Sequence, residues 1–500
     1  MGTCVRARAK SHHDDTARVQ QRENLLAWLL AARAGTARRD PEDSIRAKAL
    51  ARHSEDAPIA EVALSSIRAG ARACLADGDW AGAARSAGRA LDLLSDLIGR
   101  TGPDTMEDWL ALTQGMAATG AYGLARQGEA HDAALLCERG AAMIASHTGI
   151  SNSGVQGDHP PRQVAVPPGC VLVQLAVTPV GGIALLTRPD RATVTIGLPA
   201  LTDDKVTWWD MKFRRPGGRT AAVRSRTGTI TDPADAQAVL DEMATALGPL
   251  CECLHDARVR LVPLGRIAGL PLSPVIELRT GSPVSIAGSA ALHLRAAAAA
   301  RLRSPPIRTL AVTNPSPCSA GPPLPGATTE GEWLTGCEAC AVTHLDGIRA
   351  TRAAVLAALG SGMDLVHFGT HGQFDADNPL RGALYLADGP GGRAEILGPA
   401  ELSGAAAVVL ACCTLGDVGR RLPDEHQGFS SAMLSAGAWF VLSPLWPVDD
   451  AAATDLVTGF YRYLLDGSNP ASALLAARAL AREQHGARSP CWASWTLAGG

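Results

Sequence analysis

Lysine is almost missing from this chain of 500 residues: Lys10, Lys48, Lys205 and Lys212 are the only lysines among 46 basic residues. Arginine supplies the rest, as a bias of composition rather than as a binding patch. Against 49 acidic residues it leaves a formal net charge of −3. So near-neutral a balance gives no general electrostatic reason to expect nucleic acid or an acidic membrane surface as partner. Long apolar runs are missing too. The nearest, SIAGSAALHLRAAAAARL, is interrupted by His293, Arg295 and Arg301, and no uncharged stretch reaches transmembrane length. MGTCVRARAKSHHDD has basic residues with no apolar run behind them, so no secretory signal is expected, and Arg6 stands where a myristoylation motif needs Ser or Thr. A cytoplasmic protein is expected. Paired cysteine spacing is the fourth lack. The twelve cysteines are scattered, which argues against a disulfide framework. CEC at 251–253 and CEAC at 337–340 could in principle share a metal, but they do not make the paired CxxC spacing of a strong site, so no metal and no cofactor is expected.

What is present is a hydrophobic fraction of 46%, enough for a soluble protein with a sizeable core. Residues 1–150 carry no strand pattern; Ala, Leu and Arg recur at helical spacing, as in ENLLAWLLAARA. LADGDWAGAARSAGRALDLLSDLIG reads as helix, tight turn at Asp77-Gly78-Asp79, and helix, with Ala90 a small residue at the crossing. GLARQGEAHDAALLCERGAAMIAS repeats the pattern around Gly128. The two turns do not keep the spacing of a regular array, so stacked helical hairpins, similar to tetratricopeptide repeats, are expected. A Gly-, Pro-, Ser- and His-rich linker follows, at 151–168. Short β runs come next (CVLVQLAV, GIALLT, ATVTIG, RVRLVPLG), within a supporting α/β region at 169–304. From RTLAVTNP onward, through 305–500, strands alternate with helices, which predicts a largely parallel sheet covered on both faces. In such sheets functional groups gather at the carboxyl ends of strands.

DLVHFGTHG places His367 inside a buried strand and His371 just past its end. AAVVLACCTLG is a second apolar strand, ending in Cys412-Cys413-Thr414. As parallel neighbours the two would bring an imidazole and a thiol to one rim. A thiol that ordinarily titrates near 8.5 needs such a base to act as a nucleophile at neutral pH. Gly372 would let a substrate backbone come close, and strand-end amides could bind a developing oxyanion. The plainer alternatives are a turn histidine and a packing cysteine, with His367 a hydrogen-bonded core residue.

LVHFGTHGQFDADNPLRGALYLADG resembles the signature of CHAT-domain proteins, the caspase-like domain often found behind tetratricopeptide repeats. VVLACCTLG is similar to that family's VLSACxTG strand. LPGATTEGEWL, the segment GFSSAMLSAGAWFVLSPLWPVDD and the terminal SPCWASWTLAGG occur in the order the family has them. The resemblance implies a fold of the caspase, gingipain and separase type with a Cys–His dyad. His371 is then the general acid/base and Cys413 the nucleophile, and Gly372 with the Cys413 amide forms the oxyanion hole. Aligning Val409-Leu410 and Gly416 selects Cys413; aligning Ala411-Cys-x-Thr414 selects Cys412. LWPVDD resembles the separase stretch that binds arginine before the cut. By that analogy Asp450, with Asp449, lines the first specificity pocket and Trp446 forms its wall, although both acids also suit the start of a helix.

The resemblance implies a cysteine endopeptidase with a preference for a basic residue before the scissile bond. Its substrate would be a protein. A regulatory protein would bind the N-terminal helices, in a bacterial defence or programmed-death pathway. A catalytically inactive scaffold of the same fold is the second reading.

Overall fold

The chain is seen in a computed structural model that describes residues 19–20, 22–27, 29–30, 41–57, 59–100, 103–141, 164, 166, 168–189, 191–213, 233–255, 257–299, 302, 304–374, 382–402, 405–412, 415, 428–486 and 489–500. The opening stretch and most of the expected linker lie outside them.

The helical region comprises α1 (Pro41–Ser54), α2 (Ala60–Asp77), α3 (Trp80–Arg100), α4 (Pro103–Leu112), α5 (Met116–Arg126) and α6 (Ala130–Ala141). Small residues let these helices pack tightly. A Cβ on Gly123 would stand 2.5 Å from the Trp80 carbonyl, and one on Gly140 would collide with Ala117. The turn expected at Gly78 is there: its φ of 75° is the left-handed conformation that glycine tolerates, and Asp79 then caps α3 by accepting from the Gly82 amide. Among the described residues no helix is long and apolar enough to cross a membrane.

Eleven described strands form one sheet, in the order β3-β2-β1-β4-β5-β14-β13-β12-β8-β6-β7. In chain order these are β1 (Cys170–Thr178), β2 (Gly181–Thr187), β3 (Val194–Leu198), β4 (Arg258–Pro263), β5 (Val284–Ile286), β6 (Ile307–Thr313), β7 (Cys340–Asp346), β8 (Leu365–Gly369), β12 (Ala407–Leu410), β13 (Phe440–Pro444) and β14 (Trp495–Gly499). β9 (Gly372–Gln373), β10 (Ala383–Asp388) and β11 (Ala394–Leu397) make a separate small sheet beside the end of β8. The pairings β1/β4, β4/β5, β5/β14, β13/β12, β12/β8, β8/β6 and β6/β7 are parallel; β1/β2, β2/β3 and β13/β14 are antiparallel. The mostly parallel sheet expected from the alternating pattern is therefore what the chain builds.

The apolar strands are explained by burial on both faces. In β12, Ala407 and Val409 join one core and Val408 and Leu410 another. β1 divides likewise: Leu172 and Ala176 meet the helical region, while Val171, Val173 and Leu175 turn to the opposite side. Covering helices after β3 are α7 (Asp203–Phe213), α8 (Pro233–Ala246), α9 (Leu272–Thr280), α10 (Ala290–Ala298), α11 (Pro325–Thr335), α12 (Arg352–Gly360), α13 (Phe429–Ser435), α14 (Asp450–Leu465) and α15 (Pro470–His485).

β14 joins the two halves of the sheet. It runs parallel to β5 and antiparallel to β13. Buried Arg260 of β4 reinforces the seam, donating to Ser285 Oγ at 2.6 Å and to the Gly499 carbonyl at 2.9 Å. A second tie crosses between the helical region and the sheet. The buried Glu138 carboxylate of α6 accepts from the first amides of α10, Ala290 and Ala291, each at 2.9 Å.

Candidate active site

β8 is flanked by β6 and β12, and its chain leaves the sheet through Thr370 and His371 to enter β9. The His371 carbonyl accepts from the Tyr385 amide at 2.9 Å, so the histidine backbone is fixed between the large and small sheets. Its half-buried ring donates from Nε2 to the Pro322 carbonyl at 2.8 Å. The ring lies against Gly321, where a Cβ would stand only 2.5 Å from Cε1. With the proton held on Nε2, Nδ1 is the ring nitrogen left with a lone pair.

Gly372 answers to a close approach of neighbouring side chains. A Cβ there would stand 3.1 Å from Cys412 Cβ and from Cγ and Cδ1 of Leu415. The stretch after His371 therefore packs directly on the exit of β12. Cys412 itself is buried, 1% exposed. Its thiol donates to the Phe368 carbonyl at 3.2 Å and lies 3.4 Å from Thr370 Oγ1. That sulfur clasps β12 to β8. Cys413, Thr414 and Gly416 lie outside the described residues.

Asp449 caps α14, accepting from the Ala451 and Ala452 amides at 3.1 and 3.2 Å. Asp450 turns toward α11, where one carboxylate oxygen accepts from the Gly326 amide at 2.7 Å. Glycine is required there, because a Cβ on Gly326 would stand 2.8 Å from Asp450 Cγ. Trp446 is 6% exposed and stacks on Phe213 at the end of α7, with ring centroids 5.2 Å apart. The helix-cap role thus belongs to Asp449, and Trp446 is largely engaged in the core.

His367 lies beneath the rim, fully buried. Its Nδ1 is hydrogen-bonded to the Tyr461 hydroxyl at 3.0 Å, and Glu330 Oε2 is 3.0 Å from its Nε2 without hydrogen-bond alignment. Burial raises the Tyr461 hydroxyl well above the ordinary tyrosine range, and the Glu330 charge adds to the rise. The expectation of a hydrogen-bonded core histidine describes this residue well. The cysteines of CEC and CEAC behave as packing or surface residues. Burial pushes Cys251 and Cys340 each up to about 11. Among the described residues no group of three or more His, Cys, Asp or Glu is arranged to hold a metal.

Sequence reasoning did not find the partner of His371. A backbone carbonyl carries no residue signature, and Pro322 lies 49 positions before the histidine. The Gly321-Pro322-Pro323-Leu324 stretch just ahead of α11 was the one available hint.

Residues 255–500 match the CHAT domain. No curated protein matches the chain in sequence. Among solved structures, the separase–securin complex of Saccharomyces cerevisiae aligns with a TM-score of 0.53 at 8% identity, over 98% of this chain and 48% of that one. This chain therefore spans about half the length of the separase it resembles, and the likeness is one of fold: mixed α/β with a caspase-like sheet. The Arg-specific cysteine proteinase gingipain R aligns at 0.36 with 13% identity, over 59% of this chain and 73% of that one, a score too low to argue from.

Proposed function

We propose, from the premise that residues 255–500 form a CHAT domain, that this protein is a cysteine endopeptidase with His371 and Cys413 as its dyad. The supporting observation is the packing of Gly372 against Cys412 and Leu415, which brings the histidine turn onto the exit of β12, one residue from Cys413. Cys412 is occupied as a donor to Phe368, which favours its neighbour as nucleophile.

In this reading His371 takes the Cys413 proton, and the thiolate adds to the scissile carbonyl. The Gly372 and Cys413 amides receive the oxyanion. Collapse of the tetrahedral adduct breaks the C–N bond as His371 returns its proton to the leaving amine. Water, deprotonated by the same imidazole, then releases the acid and restores the thiol. A basic residue before the cut would pair with Asp450, assisted by Asp449 and bordered by Trp446. Of the Asp450 carboxylate, the second oxygen is the one that would meet a guanidinium, because the first holds Gly326. A protein partner bound to α1–α6 would regulate the site, since stacked helices offer extended binding surfaces.

Labelling with an arginyl chloromethyl ketone tests the dyad. Label lost in Cys413→Ala and in His371→Ala but kept in Cys412→Ala is the expected result. No label on wild type, with or without a cell lysate to supply a partner, would identify an inactive scaffold instead.

A further inference from the structure

Resting on that reading of His371, we propose that Asn314 is the positioning residue of the imidazole, acting through the loop 314–324 and its Pro322 carbonyl.

Asn314 follows β6 directly and, with φ of 42°, is the one non-glycine among the described residues in the left-handed region. Asparagine is among the few side chains that adopt it at modest cost. Its backbone amide donates to the Gly369 carbonyl at 2.9 Å, which anchors the start of the loop to the end of β8, two residues before His371. Its side-chain Oδ1 accepts from the Leu324 amide at 2.6 Å, and its Nδ2 donates to Thr328 Oγ1 at 3.1 Å. One residue therefore ties both ends of the loop, and Pro322, two positions before Leu324, is the residue whose carbonyl meets the ring.

The orientation of the asparagine is itself determined. Thr328 donates its only hydroxyl proton to Asp346 Oδ1 at 3.0 Å, so toward Asn314 it can only accept. Asp346 Oδ1 also accepts from Thr313 Oγ1 at 2.7 Å, and that oxygen lies 2.7 Å from His344 Nε2. Nδ2 must therefore face Thr328, and Oδ1 must face the Leu324 amide. Aspartate lacks the donor, glycine lacks both groups, and glutamine is longer by a methylene. The distal face of the loop is held separately, by Ser319 N to Asp388 Oδ1 at 2.7 Å and Asp388 N to the Pro317 carbonyl at 2.8 Å. Loss of Asn314 thus releases the Pro322 end in particular.

The test uses the full chain with ¹³C/¹⁵N-labelled histidine, the His371 signals being assigned by their absence in His371→Gln. In wild type the Nε2–H tautomer should dominate. Asn314→Gly, which accepts the φ but removes both side-chain bonds, should give a tautomer mixture. It should also slow alkylation by the arginyl chloromethyl ketone on the order of 10- to 100-fold. Asn314→Asp, which keeps the acceptor for Leu324, should recover most of both. Wild-type tautomer and labelling rate in a folded Asn314→Gly would overturn the proposal, as would Nδ1–H dominance in wild type. If Asn314→Gly does not fold, Asn314→Ala, which also removes both side-chain bonds, is read in its place. An Nε2–H His371 with no labelling of wild type would leave the positioning role standing and remove the peptidase reading.

Discussion

At the scale of the residue, Gly321 offers the sharpest way to disturb the imidazole without touching it. A Cβ at that position meets the His371 ring, so the ring must move if the alanine is to fit. Gly321→Ala should lower kcat/KM toward an arginyl substrate by about 100-fold, the size expected from a misplacement near 1 Å. Its melting temperature should stay within a few degrees of wild type. Equal losses of stability and activity would contradict this. Cys412→Ala should behave in the opposite way. It deletes a buried sulfur and its bond to the Phe368 carbonyl, at a cost of about 1–2 kcal/mol, while labelling of Cys413 persists. Denaturant unfolding beside active-site labelling reads both quantities.

How far the sequence could be read differs between two kinds of residue. His371 stands in a motif that its imidazole makes recognisable. Asn314 and Gly321 matter through a backbone angle and a close approach, and both depend on coordinates that residue identity does not encode. The Cys412/Cys413 ambiguity belongs between these cases. Two adjacent thiols look alike in a string, whereas the burial of Cys412 and its bond to the Phe368 carbonyl are facts of the fold that residue identity does not encode.

At the scale of the element, the start of α14 combines two acidic residues with different duties. Asp449 caps the helix, and Asp449→Ala should cost about 1 kcal/mol of stability. Asp450→Asn can still accept from the Gly326 amide while its charge is gone. Stability should change little, whereas kcat/KM for an arginyl substrate should fall at least tenfold relative to a neutral one. An unchanged arginine preference in that variant would remove Asp450 from the specificity pocket. Strong elements such as β8, β12 and α14 announce themselves by apolar runs or helical spacing. β5 is too short, at three residues, to show a period, and β7, at the edge of the sheet, has no fully buried side chain to mark it. α7 is masked in the sequence by its polar start, Asp203-Asp204-Lys205, set directly behind a β run.

At the scale of the whole molecule, the helical region and the sheet are coupled through a buried acid. Burial pushes the Glu138 carboxyl above its ordinary 4.5, although the Ala291, Ala290 and Gln174 donors pull the other way. The folded chain then holds this proton more tightly than the unfolded one. Its contribution to stability is present in full below 4.5 and is lost as pH rises through the shifted midpoint. Glu138→Gln removes that titration. The melting temperature of wild type should therefore decline relative to the variant as pH is raised from 4.5 toward neutrality. A constant difference across the range would show that the acid is not shifted. Glu277, which burial shifts in the same direction, is present in both proteins and cancels.

β14 sits between β5 and β13, so segments more than 200 positions apart in the chain must find one another before the sheet is continuous. Closing so large a loop is entropically slow, and few local contacts reward the attempt until the partner strands are already formed. The two flanking blocks of strands would therefore assemble early as separate rafts, with the last ribbon slotting in as a keystone. A chain built this way carries its own checkpoint: until that ribbon is seated, the sheet behind the histidine turn is unfinished.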